Sequence, residues 1–146
     1  MNRGIYVDVH RQKCNAVWLK MINLLSTPTT KWIVDCLECH GETPLSNSSY
    51  ATCDLLSILR NNPTIFFARM IGMPVDAPIE MSLETVEDYL ASSCSCLILC
   101  VDGAYFEVFV KDEKTLSALF SSFESGEIEA LHWIDDSFGS RTDFRV

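Results

Sequence analysis

Hydrophobic and polar residues follow two different periods along the chain. Within residues 3–9, apolar side chains such as Ile5 and Val7 occupy every second position, which is typical of a half-buried strand. Residues 14–25 repeat their apolar positions at steps of three and four, which predicts an amphipathic helix that ends before Pro28. The same two patterns recur along the rest of the chain, so strands and helices are expected to alternate.

The clearest local pattern is a hairpin within residues 96–110. Two strand-like runs meet there at Asp102-Gly103, a dipeptide that accepts the positive φ angles of a type I′ turn. The first run is apolar on both faces, as expected of a central strand. Residues 40–49, in contrast, are rich in turn formers and are predicted to form a loop.

The predicted elements follow the order β-α-β-α-β-α-β-β-α-β. This order indicates an α/β fold of the mixed α+β type, with a single mixed β-sheet flanked by helices. The chain has no internal repeat and no long linker, so its 146 residues are expected to form one globular domain over residues 1–146. An edge strand of such a sheet would make a homodimer possible.

The net charge of the chain limits the classes of molecule that it is expected to bind. There are 20 acidic against 11 basic residues, a net charge of −9. Because this charge repels phosphate backbones and anionic membranes, we expect no nucleic-acid binding and no membrane binding, and a protein partner that is basic. No stretch reaches the roughly 20 apolar residues that cross a bilayer, and we do not expect the opening residues to act as a signal peptide. We therefore predict a cytoplasmic location with reduced cysteines.

Residues 36–40, Cys-Leu-Glu-Cys-His, have the spacing of a c-type haem attachment site. We do not expect haem, because export is not signalled and because these residues continue a predicted strand. In a regular strand, residues three apart point to opposite faces, so the sulfurs of Cys36 and Cys39 are expected to diverge.

Zinc binding and redox chemistry are the alternatives for these residues. A closed zinc site requires four converging ligands, and its candidates would be Cys36, Cys39 and His40 with Cys94 and Cys96. The Cys94/Cys96 pair is one residue shorter than the usual spacing, and a redox dithiol usually starts a helix. The favoured interpretation is that these cysteines are ordinary buried or surface thiols, and we expect no metal and no cofactor.

No catalytic constellation is recognised in the chain. The three histidines lie in or beside predicted strands, and there is no Gly-x-Ser-x-Gly elbow and no glycine-rich phosphate loop. We therefore expect a protein that is not an enzyme and has no catalytic residues.

Acidic residues supply the partner-binding candidates. Glu84, Glu87 and Asp88 are spaced to share one outward face of a helix whose predicted N-cap is Ser82. A solvated surface explains such a face, and docking of a basic protein is the functional alternative. The Met- and Pro-rich residues 70–79 nearby are predicted to form an adaptable contact surface.

Several stretches together resemble a known family. They are the opening MNRGI, the central LLSILRNNPTIFFARM, the block TVEDYLASSCSCLILCVDGAYFEVFVKDEKTLSALF and the tail WIDDSFGSRTDFRV. They are similar to a family of small acidic proteins from Gram-positive bacteria that is catalogued only as a domain of unknown function. The resemblance implies a single-domain fold in a bacterial cytosol, and it implies no activity.

The polar tail is the place where the resemblance and the residues coincide. Asp135, Asp136 and Arg141 lie there, and an arginine fork against a carboxylate would fix the loop. A structural role is favoured for these residues, and partner or ligand binding is the alternative.

The leading hypothesis is a non-enzymatic protein-binding module with a basic protein partner. Its size and charge are analogous to those of immunity proteins that neutralise basic bacterial toxins. Two alternatives stay open: a metal- or thiol-dependent protein that uses Cys36, Cys39 and His40, and an uncharacterised domain with a small-molecule pocket.

Overall fold

The chain forms strands and helices where its hydrophobic period changes. In the computed structural model, which describes residues 2–42, 45–61, 63–79, 83–126, 128–135 and 144, the strands are β1 (Gly4–Asp8), β2 (Thr30–His40), β3 (Ser48–Ala51), β4 (Thr64–Pro74), β5 (Cys96–Val101), β6 (Tyr105–Val110) and β7 (Ala130–Ile134). The helices are α1 (Cys14–Leu25), α2 (Thr52–Arg60), α3 (Val86–Ala91) and α4 (Glu113–Glu124), and a 3₁₀ helix, Arg11–Lys13, leads into α1. No helix in these ranges is long and apolar enough to span a membrane.

The strands within the described residues form one open sheet, in the order β3-β2-β4-β5-β6-β1-β7. The predicted α+β class, with a single sheet and flanking helices, is confirmed. Every pair of neighbouring strands in this sheet is antiparallel, so the prediction of a mixed sheet is corrected to an antiparallel one. The element order also agrees with the prediction, with β3 as an addition.

Strand β3 lies partly within the residues that were predicted to form a loop. Its side chains are mostly exposed, and its sequence, Ser-Ser-Tyr-Ala, has no apolar alternation. The strand forms because it pairs with residues 31–34 of β2 at the edge of the sheet. A polar edge strand of this kind leaves no hydrophobic period to detect.

The β5–β6 hairpin agrees with its sequence signal. Asp102 and Gly103 have φ angles of 56° and 65°, as a type I′ turn requires, so this prediction is confirmed. Strand β5 lies between β4 and β6 and is buried along nearly its whole length, as its two apolar faces predicted.

The two faces of the sheet have different covers. On one face, which we call the helix face, α1, α2 and α4 enclose a core that includes Trp18, Trp32 and Phe106. On the other, which we call the segment face, the short helix α3 and irregular chain around it cover a smaller core that includes Tyr89 and Phe109. The candidate sites divide between these two faces.

Gly4 marks a close approach between β1 and β6. A Cβ atom at this position would lie 2.2 Å from the backbone oxygen of Val108, which is far inside van der Waals contact. Only glycine fits here without moving one of the two strands. This gives a structural reason for the Arg-Gly-Ile opening of the chain.

Candidate functional site

Residues 36–40 are extended, as predicted, but their two cysteines point to the same face of the sheet. The register of β2 against β4 shifts between Cys36 and Glu38 and again between Glu38 and Cys39. Because a bulge interrupts the two-residue period, Leu37 and Glu38 are both exposed, while Cys36 and Cys39 both pack against the helix-face core. The expectation that the two sulfurs diverge is therefore wrong.

The two thiols do not combine with His40 into a metal site. Cys36 and Cys39 are neighbours, and burial, followed by this neighbouring thiol, raises the pKa of Cys36 to about 12. His40 is exposed, and its Nε2 lies 3.2 Å from Glu38 Oε1. In the described ranges, no three histidine, cysteine or acidic side chains are arranged to hold a metal ion.

Cys94 and Cys96 do not complete a site with the other pair. They lie on opposite faces of the sheet, Cys96 in the helix-face core and Cys94 in the segment-face core. Cys96 pairs in register with Gly72, whereas Cys36 pairs with Ala68. The two cysteines are therefore offset by about 13 Å along the direction of β4. Burial also raises the pKa of Cys96 to about 12.

A different set of thiols lies beside Cys36 on the helix face. Cys36 and Cys100 are the register partners of Ala68 on its two sides, and Cys14, the first residue of α1, lies beside Cys100. We call Cys14, Cys36, Cys39 and Cys100 the thiol row. Three of these thiols donate to consecutive β4 carbonyls, those of Ile65 (3.6 Å, from Cys14), Phe66 (3.9 Å, from Cys100) and Phe67 (3.7 Å, from Cys36).

The sequence patterns did not predict the thiol row. Its members come from α1, β2 and β5, and only the order and register of the strands bring them together. The one available signal was the place of Cys100 in a run that is apolar on both faces, since this predicts a buried thiol in a central strand.

Glu84, Glu87 and Asp88 are exposed, but they do not share one face of a helix. Helix α3 begins at Val86, so Glu84 precedes it, and the N-cap is Thr85. The predicted cap, Ser82, lies outside the described residues.

Asp88 has a structural role in this helix start. Its Oδ2 accepts the backbone N–H of Thr85 at 3.0 Å, and Thr85 Oγ1 accepts that of Asp88 at 3.1 Å, which forms a capping box. The side-chain and backbone hydrogen bonds of Thr85, with that of Glu84, hold the pKa of Asp88 below its ordinary value. Glu84 and Glu87 are therefore the better candidates for partner contacts.

The region around these carboxylates is acidic and carries exposed apolar side chains. We call residues 75–91 the acidic segment. Val75, Ile79 and Leu90 are 55 %, 50 % and 55 % exposed. The adaptable contact surface predicted for residues 70–79 is wrong in its first half, because β4 buries the methionines and isoleucine of residues 70–73 in the two cores.

The tail candidates are only partly described. Asp135 follows β7 directly and is partly buried. Asp136 and Arg141 lie outside the described residues, so the arginine fork stays a prediction.

A cavity of about 300 Å³ lies on the segment face between β2, β3 and β4. Arg69 lines it, with a side chain that is only 17 % exposed. The guanidinium donates to the carbonyl of Leu83 at 2.6 Å and to Asp35 Oδ2 at 3.3 Å. Its buried Nε finds no hydrogen-bond partner in the described structure, and the cavity beside the guanidinium is lined by both apolar side chains, such as Ile33 and Ile71, and polar ones.

Comparison with known proteins places the chain in a family but not in a functional class. Neither a search of curated proteins nor a search of solved structures found a match. The profile of a family described as "Protein of unknown function (DUF2691)" matches residues 2–145, nearly the whole chain. The chain therefore belongs to DUF2691, a family whose function is unknown.

Proposed function

We propose that the chain is a protein-binding module that docks a basic partner through the acidic segment. The composition of this segment carries the proposal, because residues 75–91 contain five Asp or Glu residues and no Lys, Arg or His. The same residues include the exposed apolar side chains of Val75, Ile79 and Leu90. Apolar anchors beside charges of one sign are suited to a partner with a complementary basic surface.

Two cations of the sheet bind the backbone of the acidic segment, and the carboxylates of the segment that the structure describes are exposed. Lys31 Nζ donates to the carbonyl of Ala77, and Arg69 donates to that of Leu83. Lys31 and Arg69 extend from strands of the sheet, so their hydrogen bonds attach the acidic segment to the sheet. The negative charge above them is then available to steer a basic protein toward the surface.

In its more specific form, the proposal takes the partner to be a basic bacterial toxin that the chain neutralises as an immunity protein. The support is the small size of the chain and its net charge of −9, which would speed association with a basic nuclease. This support is an analogy of charge and size. The proposal includes a cytoplasmic location, where seven cysteines would stay reduced.

The test begins by selecting partners from a displayed library of fragments of the genome that encodes the chain. Binding of each selected fragment is then measured at low and at physiological salt. The double variant Glu84→Lys/Glu87→Lys is expected to slow association at least about tenfold, because steering depends on local charge.

The matched control is Glu42→Lys/Glu124→Lys, which changes the net charge equally at exposed positions outside the acidic segment. We expect it to slow association less than about threefold. Equal effects of the two double variants would show that net charge acts without a docking surface, and they would overturn the proposal. Selected fragments whose binding ignores both salt and the variants would overturn it as well.

A second function is favoured by the Arg69 cavity: binding of a small molecule that carries a carboxylate or carbonyl acceptor. The Arg69 guanidinium, which lines the cavity, would donate to the acceptor, and Ile33 and Ile71 would contact the apolar part of the ligand. A thermal-shift screen of small carboxylates and amides tests this. A saturable shift should disappear in Arg69→Met and persist in Arg60→Met, which alters an exposed arginine at the end of α2. A shift that survives in Arg69→Met excludes the cavity.

A further inference from the structure

The cavity on the segment face has an ionic pair and an apolar pair next to each other in its wall. Asp35 of β2 and Arg69 of β4 are direct register partners. Two residues away on the same strands, Ile33 and Ile71 are also paired. Because alternate residues of a strand point to the same face, the two pairs lie side by side, about 7 Å apart along the strands. All four residues line the cavity.

The remaining walls of the cavity are polar or aliphatic. Asn47, Ser48 and Ser49 line it from the start of β3 and the residue before it, and Ile79 lines it from the acidic segment. None of the lining side chains that the structure describes is aromatic. The volume of about 300 Å³ is at the lower end of the roughly 300–1,000 Å³ of small-molecule sites. A small ligand with a compact aliphatic group therefore fits this space.

The two charges of the ionic pair are only loosely joined. Arg69 Nη2 lies 3.3 Å from Asp35 Oδ2, whereas a strong charge-assisted hydrogen bond spans roughly 2.7–2.9 Å. The Asp35 side chain is 43 % exposed and that of Arg69 is 17 % exposed. The carboxylate and the guanidinium can therefore each bind a charged group of a ligand in the cavity.

This pair of opposite charges selects the kind of ligand. A ligand that is only an anion would be attracted by Arg69 and repelled by Asp35, and an amine would meet the reverse. A ligand that carries both charges close together complements both residues, while repulsion acts against its singly charged competitors. A free α-amino acid has this arrangement, because its ammonium and carboxylate groups are attached to one carbon that also carries the side chain.

We propose that the cavity binds a free α-amino acid with an aliphatic side chain, such as leucine. Arg69 binds the carboxylate of the amino acid, and Asp35 binds its ammonium group. Ile33 and Ile71 contact its side chain. This inference rests on the small-molecule binding proposed above for the same cavity, and it names the class of ligand. It does not depend on a basic protein partner.

The test compares three ligands of similar shape on the full chain. Leucine carries both charges, 4-methylpentanoate carries only the carboxylate, and 3-methylbutylamine carries only the ammonium group. Binding is measured at neutral pH from the NMR chemical shifts of residues 33–35 and 69–71. We expect leucine to bind at least about tenfold more tightly than either analogue, because each analogue lacks one charge-assisted contact.

Asp35→Asn tests the role of the carboxylate, because it removes the negative charge and keeps a side chain of the same size. It should weaken the binding of leucine at least about tenfold and should not weaken that of 4-methylpentanoate. Arg69→Met should abolish the binding of both ligands. Asp54→Asn, at an exposed position in the first turn of α2, is the matched control and should change neither.

Thermal unfolding checks that each variant is folded, and the wild-type comparison of the three ligands decides the question where a variant is not. Leucine that binds no more tightly than 4-methylpentanoate would overturn this inference and leave the binding of carboxylates in place. A preference for leucine that survives in Asp35→Asn would overturn it as well. If none of the three ligands gives saturable shifts up to about 10 mM, both this inference and the small-molecule function of the cavity are wrong.

Discussion

The helix face and the segment face belong to the same sheet, yet they differ in what covers them. Three helices with regular apolar faces cover the helix face. The core beneath these helices contains buried thiols. One six-residue helix and irregular chain cover the segment face, which holds Arg69, a cavity and the exposed carboxylates. Where helices pack regularly on the sheet, only small polar groups such as thiols fit between them. Where the cover is irregular, charged side chains and a surface for partners can be present.

The largest expected effect concerns the rigidity of the helix face. Trp18 is fully buried and meets Phe106 edge to face at 5.2 Å. We expect Trp18→Ala to lower the free energy of unfolding in urea by about 3–5 kcal/mol, because the cavity cannot collapse between regular elements. Tyr89→Ala on the segment face should cost about 2 kcal/mol, since its irregular cover can relax. Equal costs would contradict the difference between the faces.

A smaller effect is expected where the sheet fastens the acidic segment. Arg69→Ala removes the hydrogen bond to the Leu83 carbonyl, and we expect a loss of about 2 kcal/mol in the free energy of unfolding. Hydrogen exchange should show the loss of protection concentrated in residues 83–91. Arg60→Ala, at an exposed position, should change stability by less than about 0.5 kcal/mol. A uniform loss of protection in Arg69→Ala would mean that Arg69 supports the sheet as a whole.

The capping box tests whether α3 depends on local signals. Thr85→Ala removes the acceptor for the Asp88 N–H and should cost about 1 kcal/mol in urea unfolding. Ser93→Ala, an exposed change just after the helix, serves as the control with little expected effect. If the two substitutions cost the same, α3 is held by packing alone.

The smallest expected effect is a change in how the stability of the protein depends on pH, and it concerns the start of α4 on the helix face. The side-chain and backbone donors of Thr115 hold the pKa of Asp112, the α4 N-cap, below its ordinary value of 3.8. Asp112 therefore stabilises the fold at pH values above about 4, and this contribution is lost as the pH falls through the folded-state pKa. Asp112→Asn should make the fall of the melting temperature between about pH 5 and pH 2 shallower, as measured by calorimetry.

Thr115→Ala provides an independent check on this pH effect, because it removes the hydroxyl donor and keeps the carboxylate. It should also make the acid slope shallower. An unchanged slope in both variants would show that the cap does not contribute to acid unfolding.

Local patterns predicted the elements better than the sites. The strand of residues 3–9, the helix of residues 14–25 and the turn at Asp102-Gly103 follow from periods and turn preferences within a few residues. Edge strand β3 does not, because pairing with β2 alone specifies it. Site predictions that assumed regular geometry were wrong for residues 36–39 and for the shared face of Glu84, Glu87 and Asp88.

The sequence alone determined most of the strands and helices, the central place of β5 and the acidic composition of residues 75–91, because each depends on residues close together along the chain. Only the tertiary structure decided that a bulge turns Cys36 and Cys39 to one side, and that Cys36 and Cys100 flank Ala68 in the sheet. The reason is that strand register is set by the packing of distant segments. A shift of one residue in register exchanges the groups inside the core with those in water.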